Sequence, residues 1–122
     1  MNDNLSLTTA EEKLSTIIWD LAPITSPELV DIAYERMGWK KSTTYTVLRR
    51  LCDKGIFNNA NAKVTVVLTR EELLARQSRQ FIEHTFKGSL PGFIAAFFGG
   101  GKLSSKEANE LVQLIESHQE VS

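Results

Sequence analysis

The chain has a single cysteine, Cys52, in 122 residues, which excludes a disulfide within one molecule and a cysteine metal cluster built from one chain. Cys52 follows Leu51 on an apolar helix face and reads as a small buried hydrophobe, not a reactive thiol. The histidines, His84 and His118, lie far apart and have no close constellation of cysteines or carboxylates, so neither a metal nor a cofactor is expected. No apolar run approaches the length of a bilayer span, and no basic-then-apolar leader opens the sequence. A soluble, cytoplasmic protein with no membrane partner is therefore expected. A nucleophile, a base and an orienting group do not occur together, and Gly99, Gly100 and Gly101 lack the strand and the Lys-Ser/Thr of a phosphate loop. Catalysis is not expected.

Nor is there an excess of positive charge, since the formal net charge is −1. Its distribution is uneven: residues 1–39 carry two basic and seven acidic groups, residues 40–54 five basic and one acidic, and residues 55–122 seven of each. A basic patch in an acidic body suits local contact with phosphates better than non-specific coating of polyanions. The length allows one compact core, or a small domain plus an extension that needs a partner.

The basic patch coincides with GWKKSTTYTVLRRLCDKG, residues 38–55. In a helix turning about 100° per residue, Thr44, Val47, Leu48 and Leu51 share one side. Ser42, Thr46 and Arg49 fall opposite, flanked by Thr43, Tyr45 and Arg50. That second face offers hydroxyls, an aromatic ring and two guanidiniums, groups that reach phosphates and base edges from a helix in a major groove. Lys40 and Lys41 stand at its start, where free N–H groups and the positive dipole end favour an anion. Composition alone fits a solvated surface helix as well, because charged helix faces are common.

Two helices are expected before this one. Thr8 with Glu11 forms a capping box, with Leu7 as a staple, and Leu14, Ile17, Ile18 and Leu21 recur at the spacing of a buried stripe that ends before Pro23. Thr25 with Glu28 repeats the box, Pro27 is tolerated in a first turn, Leu29, Ile32 and Ala33 face the core, and Gly38 closes the helix. Trp19 and Trp39 are expected to anchor helix packing, Trp39 also bracing the approach to the third helix. After Gly55 the period changes: Ile56 and Phe57 begin an extended run, residues 58–62 read as a turn, and residues 63–68 are rich in β-branched side chains. Three helices and a small hairpin predict a winged helix-turn-helix domain over residues 1–69, with the hairpin as its wing.

Residues 70–122 are expected to be helical without forming a core of their own. A polar helix over residues 70–86 carries Leu73, Leu74, Phe81 and Ile82 and stops at Gly88. Leu90, Phe93, Ile94, Phe97 and Phe98 follow, then the glycine run. Ser104 with Glu107, stapled by Leu103, opens a last helix presenting Leu111, Leu114 and Ile115. So many bulky apolar groups beside a complete small domain are expected to be buried against a second copy, making residues 70–122 a helical dimerisation region in a mainly α protein. Packing back on the winged domain is the alternative.

Five blocks together resemble the penicillinase and methicillin-resistance repressor family, the BlaI/MecI-type regulators. They are LTTAEEKLSTIIWD (residues 7–20), PITSPELVDIA (23–33), residues 38–55, FIEHTFKGSLPGFIAAFF (81–98) and KLSSKEANELVQLIE (102–116). The resemblance implies a homodimeric repressor whose winged domains bind a dyad-symmetric double-stranded DNA operator and whose C-terminal helices interlock. By position it puts Lys41, Ser42, Thr43, Tyr45, Thr46, Arg49 and Arg50 at the DNA. Base-edge contacts are assigned to Ser42, Thr43, Thr46 and Arg49, and phosphate contacts to Lys41, Tyr45 and Arg50, with Lys40 adding charge. Phe81, Leu90, Phe93, Ile94, Phe97, Phe98, Leu111, Leu114 and Ile115 fall in the dimerisation region.

Three features depart from the family pattern. Residues 58–63, the expected wing, carry only Lys63 as a charge. Relatives that respond to β-lactams are inactivated when a sensor-linked protease, a further partner, cuts an Asn-Phe bond, and the equivalent bond here joins Ala96 to Phe97. The paired C-terminal cysteines of copper-responsive relatives are absent. A DNA-binding repressor is the leading expectation. A winged-helix module that docks on another protein is the alternative, against which the basic, hydroxyl-rich third helix counts.

Overall fold

The computed structural model describes residues 5–120. Helix α1 (Thr9–Leu21) starts at a reciprocal cap: Thr8 Oγ1 accepts the Glu11 N–H at 3.1 Å, and the Thr8 N–H donates to Glu11 Oε1 at 2.9 Å. After the two-residue strand β1 (Ile24–Thr25), the same device, from Thr25 and Glu28, opens α2 (Ser26–Met37). Gly38 ends α2 at φ 70°, a left-handed position that glycine adopts without a Cβ clash. Helix α3 (Lys41–Asp53) follows, and then the hairpin of β2 (Phe57–Ala60) and β3 (Lys63–Val66). The C-terminal helices are α4 (Arg70–Phe86), α5 (Leu90–Phe98) and α6 (Ser105–Ser117).

Among the described residues the chain divides into two compact units, one ending at Phe81 and one beginning at Ile82. The first unit packs α1 and α2 around α3 and closes the end with an antiparallel sheet of order β1-β3-β2. One continuous core joins Leu14, Ile17 and Ile18 of α1, Leu29 and Ala33 of α2, Val47, Leu48 and Leu51 of α3, and Ile56, Phe57, Val64 and Leu68 of the wing. Each of these side chains except Ala33 contributes about 1.5–3 kcal/mol when fully buried. Trp19 links α1, the wing and α4: its Nε1–H donates to the Leu68 carbonyl at 3.0 Å, its ring lies 5.4 Å from that of Phe57, and the Arg70 guanidinium sits 4.8 Å from its centroid.

The fold class is the expected one, mainly helical with a small hairpin wing, and several details differ. Leu21 is exposed, because it is the last residue of α1 and lies at the edge of the core. Residues 58–60 are strand and not turn: β2 pairs with β3 from Phe57↔Val66 to Ala60↔Lys63, leaving Asn61 and Ala62 as a two-residue turn at φ 53° and 60°. Positive φ at both central residues gives a hairpin the twist of its strands, and backbone pairing on an edge strand tolerates asparagine side chains. The sheet gains β1, whose Ile24 pairs with Val64, a strand too short to show a period in sequence.

Helix α4 has a capping box of its own, from Thr69 and Glu72. Leu73 of α4 is buried in the first unit's core, whose compact limit at Phe81 lies well beyond residue 69. At α6 only half of the expected box forms. Ser104 Oγ accepts the Glu107 N–H at 3.1 Å, while the Glu107 carboxylate turns to the Ser104 hydroxyl at 3.4 Å. In the second unit Phe86 and Phe93 meet edge to face at 5.4 Å, and no residue of α5 or α6 is buried.

Glu11 is 2% exposed and carries the buried ion pair of the first unit, its Oε1 lying 2.7 Å from Lys54 Nζ. Burial works against its charge, but the hydrogen bonds from Lys54 and Thr8 outweigh that and hold its pKa below the usual carboxylate value. The stabilisation is therefore present above the ordinary carboxylate pKa and lost as pH falls through the depressed value. Lys54→Met is expected to destabilise the domain by about 1–3 kcal/mol at pH 7, with the deficit shrinking as Glu11 is protonated. Urea unfolding of both proteins at pH 7 and pH 3 measures this, and a deficit that persists unchanged at pH 3 refutes it. Ala62 is the other testable position: Ala62→Gly relieves a left-handed Cβ clash and is expected to raise stability by about 1 kcal/mol, read from the urea midpoint.

Candidate nucleic-acid interface

Helix α3 has its sides separated by burial. Thr44, Val47, Leu48 and Leu51 are in the core, whereas Lys41, Ser42, Thr43, Thr46, Arg49 and Arg50 are exposed, together with Lys40 just before the helix. Tyr45 is half-buried against the core, and Lys41 Nζ stands 6.0 Å from its ring centroid. Trp39, half-buried against the same core, braces the approach to α3. The Thr44 hydroxyl is buried without a hydrogen-bond partner among the described residues.

The N-terminus of α3 differs from those of its neighbours. Helices α1, α2, α4, α5 and α6 are all preceded by a Ser or Thr whose hydroxyl accepts a first-turn N–H, but the cap of α3 is Lys40 and makes no side-chain hydrogen bond. The first-turn N–H groups of α3 thus meet Lys40 and Lys41 where the positive end of the helix dipole lies. Among the described residues no carboxylate lies within 4.0 Å of Lys40, Lys41, Arg49, Arg50 or Lys63. Lys54 is withdrawn from this charge. Its Nζ donates to the Ser6 carbonyl at 2.9 Å and to Glu11, so the outward charge of the helix segment is carried by four side chains, Lys40, Lys41, Arg49 and Arg50.

The wing places Lys63 exposed at the start of β3, paired in register with Ala60 and Thr25. Asn58, Asn59 and Asn61 are exposed on the same hairpin. Read in sequence only as turn formers, they are donor and acceptor groups on a paired strand and its tip. A further role missed in sequence belongs to Gln77 and Gln80, which hold the backbone of Leu5 against α4. Polar residues spaced three apart on one helix face were the available signal. At Cys52, burial first and the neighbouring Asp53 second push the thiol pKa up, against an N–H from Asn59, which keeps it protonated.

The predicted dimerisation residues gather on α5 and α6, with Phe81 exposed on α4. Phe93, Ile94 and Leu111 are half-buried, and Leu90, Phe97, Phe98, Leu114 and Ile115 are exposed, Leu114 at 57%. A groove of about 930 Å³ between α5 and α6 is walled by Leu90, Ile94, Phe98, Leu111, Leu114 and Ile115. The Ala96–Phe97 bond is inside α5, where the Ala96 carbonyl accepts the Gly99 N–H at 3.1 Å and the Phe97 carbonyl the Gly100 N–H at 3.2 Å. Among the described residues no helix is long and apolar enough to cross a membrane, and no group of three His, Cys, Asp or Glu is placed to hold a metal ion.

Comparison with known proteins agrees with this architecture. The sequence pattern of a family described as penicillinase repressor matches residues 7–117. The chain is 27% identical over 113 residues to the penicillinase repressor of Bacillus licheniformis, an alignment covering 89% of this chain and 88% of that protein. It is 25% identical over 113 residues to an uncharacterized 16.5 kDa protein of Latilactobacillus sakei, covering 89% of this chain and 77% of the relative. With nearly its whole length matched, the chain belongs to the penicillinase repressor family, a family of repressor-type regulators.

Proposed function

We propose that the protein is a DNA-binding transcriptional repressor that acts as a homodimer on a dyad-symmetric operator. The observation that carries this reading is the outer face of α3, where hydroxyls and four cations without carboxylate partners among the described residues stand opposite a fully buried stripe in a repressor family. In the proposed complex α3 lies in the major groove. Ser42, Thr43, Thr46 and Arg49 meet base edges, and Lys41, Tyr45 and Arg50 hold phosphates. Lys40 at the uncapped helix start and Lys63 on the wing add charge, and the wing asparagines add hydrogen-bonding groups beside the backbone.

The second half of the proposal rests on the tail. Helices α5 and α6 bury none of their own residues, yet present Leu90, Phe97, Phe98, Leu114 and Ile115. Apolar surface of this density is supported by burial against a second copy, which joins two winged domains for two half-sites about one helical turn apart. Occupancy of the operator then blocks polymerase. A protein-docking role for the α3 face is less well supported, because that face shows no exposed aliphatic or aromatic anchor. Cleavage between Ala96 and Phe97 is not part of the proposal, since the bond is helical and lacks the asparagine.

Selection of bound duplexes from a random pool at moderate salt is expected to enrich an inverted repeat. Arg49→Ala should weaken binding to that repeat by about 1–3 kcal/mol and relax one base position, with little loss on random DNA. Equal weakening on both would make Arg49 a phosphate contact. In sedimentation at micromolar protein the wild type is expected to be dimeric, and Leu114→Glu monomeric with its α-helical circular dichroism retained. A variant that stays dimeric would show that this face is not the interface.

A further inference from the structure

The chain has two tryptophans, and the fold treats their indole N–H groups differently. The Nε1–H of Trp19 donates inside the domain, to the Leu68 carbonyl at 3.0 Å. Trp39 is half-buried against the same core, yet its Nε1–H has no acceptor among the described residues and is not one of the buried atoms left without a partner. Its ring is therefore held by the core while its donor stays open to solvent, the division usual for a large ring with a polar tip. The backbone around it is fixed as well. Gly38, left-handed at φ 70°, turns the chain out of α2, the Trp39 N–H donates to the Ala33 carbonyl at 3.4 Å, and Lys40 opens α3. The indole thus stands in the turn that leads into α3, next to Lys40 and Lys41, exposed cations with no carboxylate within 4.0 Å among the described residues. The N–H groups of Lys41, Ser42 and Thr43 precede the first backbone bond of the helix, from the Thr44 N–H to the Lys40 carbonyl, and no side chain caps them. All of these groups are donors or cations, and the acceptor that suits them is a phosphate oxygen.

We infer that Trp39 is a DNA-contacting residue whose indole N–H donates to a backbone phosphate beside the start of α3. The inference rests on the DNA-binding reading. What it adds is a contact that carries no charge and so leaves no trace in the charge pattern. The contact is also a stiff one. Lys40 and Lys41 reach a phosphate on flexible stems, whereas the Trp39 ring is packed on the core and offers its donor in one direction. A phosphate met by a fixed donor sets how α3 is seated along the groove, which is the part phosphate contacts play in recognition.

The test follows the two indole N–H resonances of the full-length, ¹⁵N-labelled wild type by NMR, Trp19 being assigned through its ring contact with Phe57. In the free protein the Trp39 N–H is expected to exchange readily with water. Saturation with the selected duplex is expected to move it downfield and slow its exchange, with the Trp19 resonance unchanged. Phosphates of that duplex are then replaced one at a time by uncharged methylphosphonates, and at saturation one such position in each half-site is expected to reverse the change. Trp39→Phe keeps an aromatic ring and removes the donor. Once thermal melts show it folded, it is expected to bind the selected duplex and a random duplex about tenfold more weakly each, the equivalent of one hydrogen bond to a charged acceptor. The NMR readouts use the wild type, so they decide the matter whether or not the variant folds. A Trp39 resonance unmoved in the saturated complex, a change that survives every methylphosphonate, or undiminished binding by folded Trp39→Phe overturns the inference and leaves the DNA-binding reading standing. A wild type that binds no duplex overturns that reading, and this inference with it.

Discussion

Thr44, Val47, Leu48 and Leu51 are held in the core by α1, α2 and the wing, and the side chains on the opposite side of the same three turns have no choice but to face outward. A helix is a rigid rod at this length, so burying one stripe fixes the rotation of every other residue about its axis. The hydroxyls of Ser42, Thr43 and Thr46 and the guanidiniums of Arg49 and Arg50 are displayed by that burial, with no dedicated contact for each. The wing serves the same constraint from the other side. Phe57 and Val64 complete the core beneath α3, and the pairing of β1 with β3 ties the start of α2 to the hairpin through Ile24.

Charge is divided along α3 by the same packing. Lys54, at its C-terminal end, is drawn inward by the buried Glu11 carboxylate and becomes part of the scaffold, while Lys40, Lys41, Arg49 and Arg50 stay outside. The inward pair is weak evidence for stability in itself, since desolvation opposes it. Its geometric effect is stronger: one ammonium gathers the N-terminal arm, the α1 cap and the end of α3 at a single point. The arm in turn reaches α4, where Gln77 and Gln80 hydrogen-bond the Leu5 backbone.

The second unit has the opposite character. Its helices are short, start at serine caps or half-caps, and cover little of each other, so they rest on aromatic contacts such as Phe86 with Phe93 and Phe93 with Phe97. Helices of 9 and 13 residues are marginal alone in water. Their exposed leucines, phenylalanines and isoleucine are apolar surface that their own unit leaves uncovered.

Much of this was legible in the residues. The capping boxes at Thr8 and Thr25, the left-handed glycine at position 38, the limits of α4 and the buried stripe of α3 follow from local rules that act within one or two helical turns. These rules depend on backbone geometry and not on distant partners. The family resemblance, too, resides in the order of those local blocks. What only the tertiary structure decided involves partners far apart in the chain. Lys54 looks like its basic neighbours until Glu11 is beside it, Gln77 and Gln80 look like solvated surface until Leu5 lies along them, and β1 has no pattern until Val64 pairs with it. Hydrogen bonds and ion pairs of this kind carry no sequence period, so only the folded chain brings their ends together.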